Sequence, residues 1–146
     1  MANVVPFSFA QELLKGSHNF TSNTIKIALY TANPYTTAST TYTSGSGNQV
    51  SGTGYTTGGN TLNNPVVANQ TNVATLTFDQ TQWTSATFGA AFGAIYNNSS
   101  SYKLVVVLDF GGTKSCSNGT FTITFPSTSS SGPGAAGTNS LISISS

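Results

Sequence analysis

The sequence predicts an all-β protein, an antiparallel β-sandwich or jelly-roll-like fold of about seven or eight strands with one short N-terminal helix. Two observations carry this prediction. Apolar and polar residues alternate over short segments, and turn-forming pairs such as NN, GG and NG separate these segments. The connections are polar and lack the helical periodicity that a parallel α/β sheet needs. We expect residues 1–146 to form a single domain.

The helix is predicted at residues 8–15. Ser8 and Gln11 have the spacing of an N-terminal capping box, and Phe9 begins an apolar face that continues four residues later. Gly16 can end the helix in a left-handed conformation. A helix of about two turns is unstable alone, so we expect it to lie on an apolar surface.

The clearest strand patterns predict strands at 24–31, 72–78, 87–96, 102–110, 120–125 and 141–145. Residues 55–62 and 65–68 are weaker candidates. The run YKLVVVLDF at 102–110 is continuously apolar, which is typical of a central strand covered on both faces.

Alternation also predicts which side chains share a face. In the first strand, Ile25, Ile27 and Leu29 point to one side and Tyr30 to the other. The strand 87–96 is expected to present one continuous face, made of Phe88, Ala90, Phe92, Ala94 and Tyr96.

Two long segments of low complexity interrupt the strands. Residues 33–54 are predicted to form a long polar loop, and residues 126–140 an arm rich in Ser and Gly. Segments of this length without secondary structure are usually functional or extended.

The chain carries little charge. It has four lysines, no arginine and three acidic residues, so 5% of it is charged, against about 25% in an ordinary soluble domain. Without a basic patch, no nucleic-acid partner is expected. No run approaches the roughly 20 apolar residues of a membrane helix, and we expect a protein made in the cytoplasm with no membrane partner. A surface of Ser, Thr and Asn suits contact with other proteins, although it also fits a secreted β domain.

The glycine-rich stretch SGTGYTTGG, residues 51–59, does not have the pattern of a phosphate-binding loop. Its spacing is G-x-G-x-x-x-G and no helix is predicted after it, whereas a dinucleotide fingerprint needs G-x-G-x-x-G between a strand and a helix. A P-loop also needs a lysine, and none lies between Lys26 and Lys103. We expect the glycines to permit a tight turn and no cofactor to bind.

Groups suited to catalysis are few. His18 and Cys116, the single histidine and cysteine, would have to meet to act as base and nucleophile, and we predict instead an exposed loop histidine and an incidental thiol. Asp79 and Asp109 could be the two carboxylates of a glycosidase. Both lie at predicted strand ends, where aspartates usually accept backbone hydrogen bonds. No cluster of ligands predicts a metal site, and we expect no enzyme.

Aromatic residues keep a binding function open. Trp83, Tyr35, Tyr42 and Tyr55 could stack on sugars, as aromatic rings do in carbohydrate-binding modules. Trp83 precedes a predicted core strand, which favours packing at the end of the sandwich.

The ordered set of β motifs resembles a known group of proteins. The runs TIKIALYT, SGTGYTTGG, WTSATFGAAFGAIYN, LVVVLDFGG and GTFTITFP are similar, in this order, to small structural proteins of tailed bacteriophages that include capsid decoration, or cement, proteins. The resemblance covers about residues 7–126. It implies a β-rich virion protein, often trimeric, on the capsid exterior at local threefold positions, and it brings no catalytic residues.

Resemblance and composition together predict a homotrimeric capsid decoration protein that bridges subunits of the major capsid protein. Its apolar termini are the expected contact surfaces, because burial on a neighbour would offset the cost of ordering them. The residues expected at this interface are Val4, Val5, Phe7, Phe9, Leu141, Ile142 and Ile144. The alternative is a tail-fibre or receptor-binding module that recognises glycans through exposed aromatic side chains.

Overall fold

The computed structural model describes residues 3–70, 73–126 and 141–145. In this range the chain forms one helix and seven strands: α1 (Phe7–Leu14), β1 (Ile25–Tyr30), β2 (Asn60–Thr61), β3 (Val66–Gln70), β4 (Val73–Thr77), β5 (Thr81–Asn97), β6 (Lys103–Ile123) and β7 (Ile142–Ser145). The strands make two antiparallel sheets, in the orders β2-β1-β5-β6 and β3-β4-β7. The predicted all-β fold with one short helix is confirmed.

Two strands are much longer than predicted. β5 has 17 residues and β6 has 21, and they pair with each other as one antiparallel hairpin. The predicted strands 102–110 and 120–125 are therefore parts of a single strand, and Trp83 lies inside β5 rather than before it.

A bulge interrupts this hairpin near its middle. The pairing of β5 with β6 skips residues 110–113, which bulge out opposite Ala91. Gly111 and Gly112, at φ 70° and 125°, supply the positive φ angles that the bulge needs.

The bulge makes the predicted single face of residues 87–96 wrong. Phe88 packs in one core cluster, whereas Phe92, Ala94 and Tyr96 pack in the other. Side chains alternate between the two faces along a strand. An irregularity within residues 87–96 therefore sends the side chains after it to the opposite face from those before it.

The first face of the four-stranded sheet holds the larger core. Ile25, Ile27 and Leu29 of β1 lie in it, as the alternation predicts, together with Leu76 of the second sheet. Phe9 of the helix packs in the same cluster. The helix therefore rests on an apolar surface, as its short length requires.

The second face holds a smaller core, the tyrosine core, in which four of the eight described buried residues are tyrosines: Tyr30, Tyr35, Tyr42 and Tyr96. Two of these, Tyr35 and Tyr42, come from the segment 33–54. The long polar loop is thus a cover for this face of the sheet rather than an extended arm.

The continuously apolar part of β6 is buried on both faces, as predicted. Leu104 and Val107 lie in the tyrosine core, and Val105 and Val106 in the larger core. The predicted central position is wrong, because β6 is an edge strand in hydrogen-bonding order. The N-terminal segment covers this edge, since Val4 and Val107 exchange two backbone hydrogen bonds of 2.8 Å.

Helix α1 begins without the predicted capping box. Pro6 occupies the N-cap position, no side chain caps the helix, and Ser8 lies inside it. At the other end Gly16 adopts φ 69°, the left-handed conformation predicted there.

The glycine-rich stretch 51–59 packs its backbone against the sheet. A Cβ atom on Gly59 would overlap the carbonyl oxygen of Ile27, and one on Gly54 would lie 2.9 Å from Cα of Ala86. The glycines therefore allow close approach of backbones, and the strand that follows is limited to β2.

The remaining weak prediction, at 65–68, corresponds to β3. The predicted last strand is β7, which pairs with β4. Of the predicted arm 126–140, residues 127–140 lie outside the described part of the chain.

Candidate functional site

The fold does not assemble the candidate base and nucleophile. The Cys116 thiol is half-buried, with Sγ 3.7 Å from the carbonyl oxygen of Phe88. The His18 ring hydrogen-bonds instead with Glu12 and Asn97. The thiol and the imidazole therefore do not meet.

The two candidate carboxylates also have structural partners. Asp109 accepts a hydrogen bond of 2.9 Å from the backbone N–H of Gly111, which is the turn-stabilising contact predicted for it. Asp79 accepts one from the side-chain amide of Asn64. Within the described ranges, no three His, Cys, Asp or Glu residues are grouped as they would be around a metal ion.

His18 is not the exposed loop residue that the sequence predicts. Its side chain is buried and stacks on Phe20, with ring centroids 5.8 Å apart and planes 6° from parallel. Its Nε2 lies 3.0 Å from Glu12 Oε2, and Glu12 Oε1 accepts a hydrogen bond of 2.8 Å from Lys103 Nζ. Burial lowers the pKa of His18 below 6.5, and the neighbouring carboxylate opposes this shift.

This buried network fixes the helix to the sheet. Glu12 comes from α1, Lys103 from the start of β6 and Asn97 from the end of β5. Glu12 lies 91 residues from Lys103 along the chain, so the local pattern of residues gave no signal for this contact.

The candidate sugar-binding aromatics are mostly core residues. Trp83 is 4% exposed and packs edge-on against Phe88 and Phe121. Tyr35 and Tyr42 lie in the tyrosine core. The sequence was right to favour packing for Trp83, and these rings do not form a flat platform for a glycan.

The outer side of α1 carries two exposed apolar side chains, Phe7 and Leu14, with the exposed Ala10 and Gln11 between them. Phe7 and Leu14 lie seven residues apart, so they project from the same side of the helix, and they are 76% and 92% exposed. Val5, just before the helix, is 48% exposed. We call these three residues the helix patch. Leu14 was not among the predicted interface residues, although its spacing from Phe7 is readable in the sequence.

The predicted interface residues fall into two groups. Val5, Phe7 and Ile144 are exposed. The others make contacts within the chain: Val4 bridges Val107, Phe9 is in the core, and Leu141 and Ile142 pack against it.

A small apolar groove lies beside the helix. It has a volume of about 140 Å³ and runs between the inner side of α1 and the second sheet, lined by residues that include Leu13, Phe20, Val67 and Ile144. Val67 and Ile144 are 55% and 54% exposed, so the outer end of the groove is open.

Comparison of the chain with models of known protein families, with curated proteins and with solved structures finds no match. Within the described part of the chain, no helix has both the length and the apolar character needed to cross a membrane.

Proposed function

We propose that the chain is a non-enzymatic structural protein of a tailed-phage virion. In this proposal it decorates the capsid exterior as a homotrimer and bridges subunits of the major capsid protein. The resemblance of its β motifs to those of capsid decoration proteins is the origin of the proposal. His18, Cys116, Asp79 and Asp109 each make structural contacts within the fold, and the proposal gives none of them a catalytic role.

The helix patch is the observation that carries the proposal. Phe7 and Leu14 are large apolar side chains held in water on a rigid helix, in a chain whose surface is otherwise dominated by Ser, Thr and Asn. Exposed apolar groups of this kind mark interaction sites when they cluster. Since 5% of the residues are charged, burial of apolar area is the main source of affinity available to this surface.

Repetition would make such a small patch effective. Each copy of a trimer offers the same patch, so a trimer engages several capsid subunits at once, and linked weak contacts bind far more tightly than a single contact. Scarcity of charge also makes the contacts insensitive to salt.

A cryo-EM map of the virion tests the location. Density for this chain at the joints between capsomers is the expected result. Density found only at the tail would overturn the proposal and would favour the tail-fibre or receptor-binding alternative.

A binding assay tests the surface. Capsids stripped of the chain should bind the wild-type protein, and the double variant Phe7→Ser/Leu14→Ser should bind at least about tenfold more weakly. Val66→Ser, which removes a 44% exposed apolar side chain from β3, is the matched control and should bind normally. Equal binding by all three proteins would show that the helix patch is not the contact surface.

A further inference from the structure

A second cavity, lined by tyrosines and a lysine, lies at the end of the four-stranded sheet. Its volume is about 280 Å³, and its lining includes Lys26, Tyr42, Tyr96, Asn98 and Tyr102. This size is at the lower end of the range of about 300–1,000 Å³ for small-molecule sites. It suits one sugar-sized ring.

The turn that closes the β5–β6 hairpin holds Tyr102 over this cavity at a conformational cost. Ser101 and Tyr102 have φ angles of 50° and 57°, and the Lys103 N–H donates to the Ser100 carbonyl oxygen. Positive φ at both central residues is the geometry of a type I′ turn, which strongly favours Asn-Gly. A tyrosine at the second position is unfavourable for the backbone, and such outliers cluster at functional sites.

The aromatic wall beneath Tyr102 is rigid. Tyr42 and Tyr96 are stacked with centroids 4.1 Å apart and planes 7° from parallel, and the Tyr102 ring is tilted at 6.3 Å from each. Tyr96 Oη donates a hydrogen bond of 2.8 Å to the Gly58 carbonyl oxygen. Tyr102 is 51% exposed, so its ring is the one that a ligand can cover.

Lys26 gives the cavity a positive charge. It is the one charged residue in the lining, and the other polar residues there, Ser44 and Asn98, are neutral. The ion pairs recorded between described residues both belong to Glu12, with His18 and Lys103. Lys26 is therefore available to an anionic group of a ligand.

We propose that this cavity binds a carboxylate-bearing sugar residue, such as a uronic acid unit of a polysaccharide. The apolar C–H face of the sugar ring packs on Tyr102, and the carboxylate pairs with Lys26. Ser44 and Asn98 offer hydroxyl and amide groups to the sugar hydroxyls. The proposal is independent of the capsid function proposed above, since the cavity and the helix patch share no residues.

NMR titration of the isolated full-length chain with D-glucuronate tests the site. We expect glucuronate to cause saturable shifts at Lys26 and Tyr102. D-glucose, which is the neutral probe, should bind about tenfold more weakly, because it lacks the one charged contact. Acetate, the probe of charge alone, should give no saturable shift there. Shifts confined to other residues, equal binding of glucose, or equal binding of acetate would each overturn the proposal.

Three variants assign the contacts. Tyr102→Ala should weaken glucuronate binding at least about tenfold. Lys26→Met should remove the preference for glucuronate over glucose, and it keeps the proposal testable if Tyr102→Ala does not fold. Lys114 is an exposed lysine on the distal part of β6. The variant Lys114→Met is therefore the matched control and should bind glucuronate as the wild type does. Unchanged affinity in both Tyr102→Ala and Lys26→Met would contradict the assignment.

Discussion

At the scale of single residues, Asn97 acts together with burial to favour the neutral form of His18. Its Oδ1 accepts hydrogen bonds of 3.1 Å from the backbone N–H groups of Ser99 and Ser100, which fixes the orientation of the amide. Its NH₂ group therefore faces His18 Nδ1, which has to accept a hydrogen bond, while Nε2–H donates to Glu12. A proton on Nδ1 would face another donor, so this contact disfavours the charged imidazole, in the same direction as burial.

This arrangement predicts a pH dependence of stability. The folded pKa of His18 lies below the unfolded value of 6.5, so the unfolded state binds more protons as the pH falls past 6.5. The free energy of unfolding should be at its full value above pH 6.5 and should decrease as the pH is lowered from there towards the folded pKa.

NMR titration gives the pKa directly, because the chain has one histidine, and urea unfolding at several pH values gives the free energy. The variant His18→Gln removes the titrating group. In this variant the free energy of unfolding should change little between about pH 5.5 and 7. A folded pKa above 6.5, or an unchanged profile in the variant, would contradict this account.

Gly59 should be intolerant of any side chain. It has φ 70°, and a Cβ atom there would overlap the Ile27 carbonyl oxygen, so β1 and the glycine-rich loop would have to separate. We expect Gly59→Ala to lower the free energy of unfolding by about 3 kcal/mol or more.

Gly47→Ala is the matched control, because a Cβ atom at Gly47 meets nothing within 4 Å. Its effect should stay within about 1 kcal/mol. Chemical denaturation measures the free energy of unfolding of both variants. Similar losses of free energy in the two would refute the close-contact explanation.

Several residue-level features were predictable because their causes are local. The alternation of Ile25, Ile27 and Leu29 follows from the period of a strand, and the conformation of Gly16 follows from its place after a helix. The burial of His18 was not predictable, since Asn97, its partner, lies 79 residues away along the chain.

At the scale of elements, the β5–β6 hairpin dominates the fold, and its length was the main error of the sequence analysis. The segment between the predicted strands contains Gly111, Gly112 and Gly119, which normally indicate breaks in a strand. In the structure the paired strand resumes after the 110–113 bulge. Sequence pattern alone does not distinguish a glycine that ends a strand from one that bends it.

The strained hairpin turn gives an element-scale prediction. Ser101→Gly removes a left-handed strain of about 1–2 kcal/mol, partly offset by about 0.4–1 kcal/mol of added freedom in the unfolded chain. The variant should therefore be more stable by about 0.5 kcal/mol. Thermal denaturation measures the change in stability. Ser100→Gly is the control, because Ser100 is not one of the two residues with a positive φ angle in this turn. A loss of stability in Ser101→Gly would show that the turn is not strained.

At the scale of the whole molecule, the charges are few and most of them lie at or near the surface. Of the seven charged residues (four lysines and three acidic residues) only Glu12 is buried, in an ion pair with the partly exposed Lys103. Lys15, Asp79 and Lys114 are exposed among hydroxyl, amide and apolar groups. The overall fold class was readable from alternation and turns, and so was the neutral surface. The helix patch was predicted only in part: Val5 and Phe7 were expected at an interface, whereas Leu14 was not.

Self-association of the chain should therefore depend on apolar contact. In sedimentation experiments the trimer should persist from about 0.05 to 1 M salt, a range over which screening between charges changes greatly. The variant Phe7→Ser/Leu14→Ser should remain trimeric, because the helix patch contacts the capsid in the proposed arrangement. Dissociation of the wild-type trimer by salt alone would contradict an apolar interface.

The central claim is that this chain acts through surface contact on a capsid and not through a reactive group. The ratio of this chain to the major capsid protein in purified virions, determined by quantitative mass spectrometry, tests it most directly. We predict an amount comparable to that of the major capsid protein. A few copies per particle, or none, would contradict the account.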